Sequence, residues 1–413
     1  MRADRYYTVF WEETMTDIRQ GPGRFGAELT PRERFNRTMH YQHVDYISHL
    51  EFGYWAELKE DWMAQGFLPP SMRQANGDIP DHLVERFFGV EQFDSFSARL
   101  GARPARETVI VEQAPDRTVF RDGLGVLREE RTHGTRTIPH FIEFPIRDRD
   151  SWKAFRDEFL DVDHPVRAIS EAQLQQFEDL SRVSTNPVHT DFGSFIGWLR
   201  DWIGFQNIAM MSMDDPDLLE EMVAHVAGMA LKLMPQVLER AQIDVAGGWE
   251  DICFNSGPIL TPRFFAERIM PHMKPVMDML RQHGVDVIWT DCDGNILKLI
   301  PLWLGVGLNC MFPLEVNPGN DPVALKNEYG RDLLIRGGFD KFALHQGREA
   351  VLKELLRLEP ALAEGGFAPG VDHRAPAEVT WDTYCYYIWE KCHMLGWPEE
   401  RIKTFPAFQH WKP

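Results

Sequence analysis

Along the second half of the chain, short apolar runs alternate with longer amphipathic stretches, and most apolar runs end in charged residues. Val183 to Asp191 reads as a strand, and Asp215-Pro216 opens a periodic helix to about Arg240. Ile243 to Trp249 reads as a strand ending in Glu250-Asp251. Thr261-Pro262 starts a helix to His283, and Val285 to Trp289 is a strand leading into Thr290-Asp291-Cys292-Asp293-Gly294-Asn295. Leu308 to Pro313, Leu333 to Arg336 and Gly365 to Pro369 follow the same pattern, ending near Glu315, Asp340-Lys341 and Asp372-His373. Strands separated by helices predict parallel βαβ units, and their number predicts an eightfold (β/α)8 TIM barrel. A doubly wound open sheet is the competing arrangement, but no G-x-G-x-x-G follows any strand.

The first half has another texture. Residues 1–45 read as an N-terminal arm, broken at Gly21-Pro22-Gly23, followed by a helix from Thr30-Pro31-Arg32-Glu33-Arg34-Phe35 to about Tyr41. Tyr46 to Phe52 is the expected first strand of a barrel spanning 46–413. Residues 104–147 alternate in a β pattern around Asp122-Gly123, which predicts an inserted β-meander able to cover one mouth of the barrel, with Gly134 to Thr137 as a mobile piece.

Composition narrows the function. The chain has 413 residues and a net charge of −19, a poor match to nucleic acid or to an anionic membrane surface. Its five cysteines form no C-x-x-C pair, and the N-terminus lacks an apolar signal segment, so a reducing, cytoplasmic protein is expected. Ile296 to Pro313 is the most apolar window, but Lys298, Pro301 and Asn309 interrupt it, so no membrane span is expected.

Barrel enzymes carry their chemistry at the C-terminal ends of strands, which selects the candidates. Asp291 and Asp293, at i and i+2, can face one cavity, where repulsion demands a proton, a cation or a metal. The bland alternative is a turn capping the helix after Asn295. Glu250, after Gly247-Gly248-Trp249, is a candidate acid, base or metal ligand, against a salt bridge to a rim arginine. His373 is a candidate ligand or proton shuttle, against a structural histidine. Glu315, Asp340 and Lys341 divide evenly between a site and structural ion pairs. Cys310 reads as a core thiol, and Cys385 and Cys392 as packing and surface positions on the last helix. Phe52, Tyr54, Trp55, Phe192, Phe195, Trp198 and Trp249 supply either core or a wall for a planar ligand.

Taken together, Trp249-Glu250-Asp251 with Gly257-Pro258, Pro271-His272-Met273-Lys274, Asp291-Cys292-Asp293-Gly294-Asn295, Pro313-Leu314-Glu315, Gly337-Gly338-Phe339-Asp340-Lys341 and Pro369-Gly370-Val371-Asp372-His373 resemble the uroporphyrinogen decarboxylase superfamily. The likeness is to its methyltransferase-like branch. The arginine-rich R-x-x-R-Q-A-G-R-Y segment of true decarboxylases is absent, and Arg19 to Arg24 does not reproduce it. In the corrinoid-linked methyltransferases zinc is bound through H-x-C and a distant Cys. Asp291-x-Asp293 falls where H-x-C would sit, and Asp372-His373 close to the distant Cys. The resemblance therefore implies zinc held among Glu250, Asp291, Asp293 and His373, with Glu250, Asp291 and His373 catalytic and Phe52, Tyr54, Trp249, Phe192 and Glu315 around the substrate. It implies O-demethylation: a methyl group moves from a small methoxylated aromatic donor to a corrinoid protein. A homodimer is also implied. The alternatives are a cofactor-free decarboxylase and a non-catalytic tetrapyrrole- or corrinoid-binding protein; no D-x-H-x-x-G motif for holding its own corrinoid is present.

Overall fold

The apolar runs assemble into a single parallel sheet. The computed structural model describes residues 28–131, 139–409 and 411–413. Its strands are β1 (Asp94–Phe96), β2 (Val109–Gln113), β3 (Arg117–Arg121), β4 (Leu127–Arg131), β5 (His140–Glu143), β6 (Val188–Gly193), β7 (Val245–Trp249), β8 (Cys253–Phe254), β9 (Gly257–Pro258), β10 (Val287–Asp291), β11 (Cys310–Phe312), β12 (Leu334–Phe339) and β13 (Phe367–Val371). Seven of them pair in the order β1-β6-β7-β10-β11-β12-β13, all parallel, with helices in the crossovers. This is a TIM-barrel-like α/β architecture with seven described strands rather than eight.

The difference from the expected eightfold ladder lies in Tyr46–Phe52, which runs extended without joining a ladder. Side chains occupy its ladder positions. Lys391 Nζ donates to the Leu50 carbonyl (2.8 Å), Arg336 donates to the Glu51 carbonyl (2.8 Å), and the Glu51 carboxylate accepts the Val371 N–H (3.1 Å). The carbonyl of His49 accepts from Glu91 N–H (2.9 Å), and Tyr54 makes an isolated parallel bridge to Ala375. Glu51 also accepts from Tyr387 (2.8 Å) and pairs with Lys391, both ions being fully buried.

The helix Pro31–Met39 stands as the sequence predicts. Thr30 caps it, and Glu33 completes a reciprocal capping box. Its polar residues bind outward: Arg32 pairs with Asp244 (2.8 Å), and buried Arg34 pairs with Asp45 (2.9 Å) and Glu91 while lying 3.8 Å above the Tyr46 ring. Its apolar residues Phe35 and Met39 join Val245, Val287, Cys310, Leu334 and Ala368 in one buried cluster. Those strand residues sit at or near the N-terminal ends of their strands, so the helix plugs the bottom of the sheet's concave face and leaves the opposite end for chemistry.

Other boundaries shift for local reasons. Residues 171–183 form a helix capped by Ser170, so the strand expected at Val183–Asp191 is Val188–Gly193. Pro235 ends the helix Pro216–Leu233 and starts a short second one. In the helix that starts at Pro262, the Met270 N–H reaches back to the Phe265 carbonyl in a π turn just before Pro271, which has no N–H to give. The predicted meander is the antiparallel sheet β2-β3-β4-β5. Asp122 shapes its central turn by accepting from Leu124 and Val126 N–H (3.0 Å each), and Ile146 N–H bonds Trp202 to fasten the segment to the body. Gly134–Thr137 and the arm with Gly21–Gly23 and Arg19–Arg24 lie outside the described residues. Cys310, Cys385 and Cys392 are all buried, so Cys392 is a packing residue rather than a surface one. No helix among the described residues is long and apolar enough to cross a membrane.

Breaking a buried pair on one side leaves an uncompensated charge, a cost of about 3–5 kcal/mol. Lys391→Met should therefore lower thermal stability strongly, and Glu51→Gln added to it should recover much of the loss. Denaturation of the single and double variants checks this; additive losses would show that the pair does not hold the segment.

Candidate metal and catalytic site

Strands β7 and β10 run in register, Val245 opposite Val287 and Trp249 opposite Asp291. Two glycines permit the close approach. A Cβ on Gly247 would strike the Trp289 indole, and one on Gly248 the Phe192 ring. The register continues past the strands, with Glu250 N–H donating to the Asp291 carbonyl (2.7 Å). Two residues further along each chain stand Asp251 and Asp293, whose N–H donates to the Asp251 carboxylate (3.3 Å). Asp251 takes a left-handed backbone, φ +44°, which costs energy for any residue but glycine. Gly294, φ +79°, turns the chain where a Cβ would meet the Cys253 carbonyl.

The result is a group of three carboxylates. Asp251, Asp291 and Asp293 each offer an oxygen within 4.8 Å of the others. Burial pushes the Asp291 carboxyl well above the usual range, and repulsion from Asp251 and Asp293 adds to it. Burial and then the Asp293 charge likewise raise Asp251. Relief is partial: Arg200 donates to the Asp251 carbonyl, with its guanidinium 3.9 Å from the carboxylate and over the Trp249 ring. Asp293 Oδ1 is buried without a hydrogen-bond partner. Its other oxygen faces His373 Nε2 at 3.2 Å. His373 stands beyond β13, edge-on to Phe52 (5.7 Å) and stacked on Trp55 (5.9 Å, 24°). It opens onto a groove of about 600 Å³ shared with Lys341, Phe342 and His345.

The other candidates separate from this group. Glu250 is fully buried and spent, its carboxylate accepting from Phe195 (2.9 Å), Ile196 (2.7 Å) and Gly197 (3.0 Å) N–H and from Ser194 Oγ (3.3 Å). It anchors the loop after β6, and Asp251 replaces it in the cluster. Glu315 pairs with Lys341 and accepts the Gly294 N–H (2.7 Å), so it holds the turn that carries Asp293. Asp372 accepts from Val316 (2.8 Å) and Lys341 (3.0 Å) N–H. Tyr54, packed among Trp62, Phe88 and Tyr384, and Phe192, against Phe195, are fully buried core. Phe52 and Trp249 are partly exposed near the cluster. Asn295, not Asp291 or Asp293, makes the Asx turn, accepting from Leu297 N–H (3.2 Å). Sequence reasoning passed over Asp251, although Trp249-x-Asp251 repeats the spacing of Asp291-x-Asp293 on the paired strand.

Three carboxylates, one orphaned buried oxygen and an adjacent imidazole fit a divalent cation. The hard oxygen donors suit zinc and also magnesium or manganese. Cys292 is buried, its thiol pushed well up by burial, and it stands outside the group of three carboxylates.

No protein-family model matches the chain, and no curated protein does. Among solved structures it is similar to a methyltransferase from Methanosarcina mazei, with a TM-score of 0.52 at 14% identity over 85% of this chain and 96% of that one. A weaker similarity, TM-score 0.36 at 10% identity over 58% of this chain and 66% of the other, is to a B12-independent methionine synthase from Shewanella sp. W3-18-1 in complex with selenomethionine. The first likeness establishes a shared fold.

Removing one of three crowded carboxylates relieves repulsion. Metal-free Asp291→Asn should melt above metal-free wild type, by on the order of 2 °C for roughly 1 kcal/mol. A lower melting temperature would mean that the cluster is held by internal partners rather than strained.

Proposed function

We propose that this chain is a divalent-metal-dependent methyltransferase that moves a methyl group from a small methoxylated aromatic substrate to a corrinoid carried by a separate protein. The observation that carries the reading is the meeting of Asp251, Asp291 and Asp293 at paired strand ends, with one buried oxygen of Asp293 unpartnered. The fold shared with a methyltransferase supports it.

In this reading Asp251, Asp291 and Asp293 hold the cation, zinc in the first instance, with His373 beside them. The bound cation supplies Lewis acidity toward an ether oxygen. The chain's own groups do the rest. Phe52 and Trp55 pack against His373 and hold its ring at the site. Asp293 orients the imidazole through Nε2, so that His373 can deliver a proton to the departing oxygen. The methyl carbon–oxygen bond breaks with its electron pair left on oxygen. The methyl group passes to the reduced corrinoid of the partner, which acts as second substrate.

Protein purified without chelator should carry about one zinc per chain, and Asp251→Asn and Asp293→Asn should lose it. Chelation should stop demethylation of a methoxylated aromatic compound with a reduced corrinoid acceptor, and zinc should restore it. Turnover at full rate without metal would sink the proposal, and carbon dioxide release by the metal-free chain would favour acid–base decarboxylation. His373→Ala should retain metal but lose about 10²- to 10⁴-fold in rate.

Acidity gives a separate check. Asp251 and Asp291 bind protons above the usual carboxylate range, so protons compete with the cation there. Affinity should fall as pH falls through that raised range, and binding within it should release protons. Calorimetry in buffers of different ionisation enthalpy measures the release; pH-independent binding would place the cation elsewhere.

A further inference from the structure

Next to the carboxylate cluster, the concave face of the sheet holds a guanidinium that bonds the Glu51 carbonyl but has no counter-ion. The sheet interior is closed at the level of Val245, Val287, Cys310 and Leu334, each no more than 4% exposed. Around and above it, other side chains are only partly covered: Phe52, Phe93, His189, Asp291 and Arg336 all keep open surface. Interior groups with free surface above a sealed floor line a chamber, and its upper side is the Asp291 end of β10.

Arg336 comes from β12. Its guanidinium lies 4.3 Å from the Phe312 ring centre, 4.9 Å from that of Trp289 and 5.3 Å from that of Phe93, a three-sided aromatic box. One nitrogen donates to the Glu51 carbonyl (2.8 Å). Nε is buried without a partner. Among the described residues no carboxylate comes within 4.0 Å of it. Glu85, Asp291 and Glu51 are the acids whose charge reaches it, and none of their carboxylates pairs with it directly. His189, stacked on Trp289 at 5.1 Å, is pushed down to about 4 by burial and by Arg336, so it faces the chamber neutral. A buried cation without a counter-ion is costly, and arginine presents a planar fork suited to a carboxylate.

We infer that Arg336 is the recognition point for an anionic carboxylate on the substrate, whose ring lies against Trp289, Phe312 and Phe93. The substrate class is then a methoxylated aromatic acid, with its carboxylate on Arg336 and its methoxyl toward the aspartates. The inference rests on the methyltransferase reading for the methoxyl group alone; the planar acid follows from the box and the unpaired cation.

The test is equilibrium binding of 3-methoxybenzoate and of uncharged methoxybenzene to the full-length protein as purified, read by calorimetry or by quenching of tryptophan fluorescence. Wild type should prefer the acid. Arg336→Met should weaken the acid by about 10- to 100-fold and leave methoxybenzene unchanged, which also reports that the chamber is intact. Arg336→Lys, which keeps the charge and loses the fork, should fall between, and it decides the matter if Arg336→Met does not fold. Equal binding of the acid by wild type and either folded variant, or no preference of wild type for the acid, overturns the inference. So does loss of acid binding in Asp293→Asn with Arg336 in place, which would put the carboxylate on the metal cluster. Binding is read without an acceptor, so Arg336-dependent binding without methyl transfer would defeat the proposed reaction and leave this inference standing.

Discussion

The site depends on the register between β7 and β10. Asp291 faces Trp249 across the ladder, and the Glu250 N–H carries the pairing one residue beyond it. That pairing brings Asp251 level with Asp293, on a backbone strained at φ +44°. It exists because Gly247 and Gly248 let the Trp289 indole and the Phe192 ring lie against the bare backbone. A one-residue slip would turn Asp291 to the opposite face and dissolve the cluster. Glu250 and Glu315, both spent on backbone amides, fix the two loops on either side.

Buried charge is treated differently at the two ends of the sheet. At the bottom, Arg34 is met by Asp45 and Glu91, and along the seam Lys391 is met by Glu51. These ions are paired with opposite charges and hold the chain in place. Toward the top, Asp293 keeps a buried oxygen without a donor, and Arg336 a buried N–H without an acceptor. Unsatisfied buried polar atoms cost free energy that a folded chain retains where a ligand makes up the difference. One of these two atoms asks for a cation and the other for an anion, which is the polarity of a metal site beside an acidic substrate.

Much of this was legible in the sequence. The alternation of apolar runs with amphipathic stretches located β7, β10, β11, β12 and β13, and Thr30-Pro31 with Glu33 located the plugging helix, because those signals are local. Asp122-Gly123 located the meander turn for the same reason. Segment 46–52 reads as a strand because its pattern is apolar, whereas its ladder positions are filled by Lys391 and Arg336, remote in sequence. Pro235 and the π turn before Pro271 cut helices whose periodicity continues across the break. At the site, Asp291, Asp293 and His373 meet, since strand ends announce themselves. Glu250 stands out in the sequence as much as its neighbour Asp251, and nothing local tells which of two adjacent acids turns inward to bind Phe195, Ile196 and Gly197. Residue type alone suggests Tyr54 and Phe192 for a ligand wall, whereas their packing partners are set by tertiary structure. Arg336 gave no signal, since a basic residue at the end of an apolar run looks like a strand leaving the core.

The central claim is that carboxylate oxygens, and no thiolate, hold a metal at the ends of β7 and β10, although Cys292 sits between two of the proposed ligands. X-ray absorption at the zinc edge of the loaded protein tests it most directly. The account predicts a shell of oxygen donors at about 2.0–2.2 Å without sulfur, altered in Asp251→Asn. A sulfur shell near about 2.3 Å would contradict it, since the Asp251–Asp291–Asp293 cluster contains no thiol.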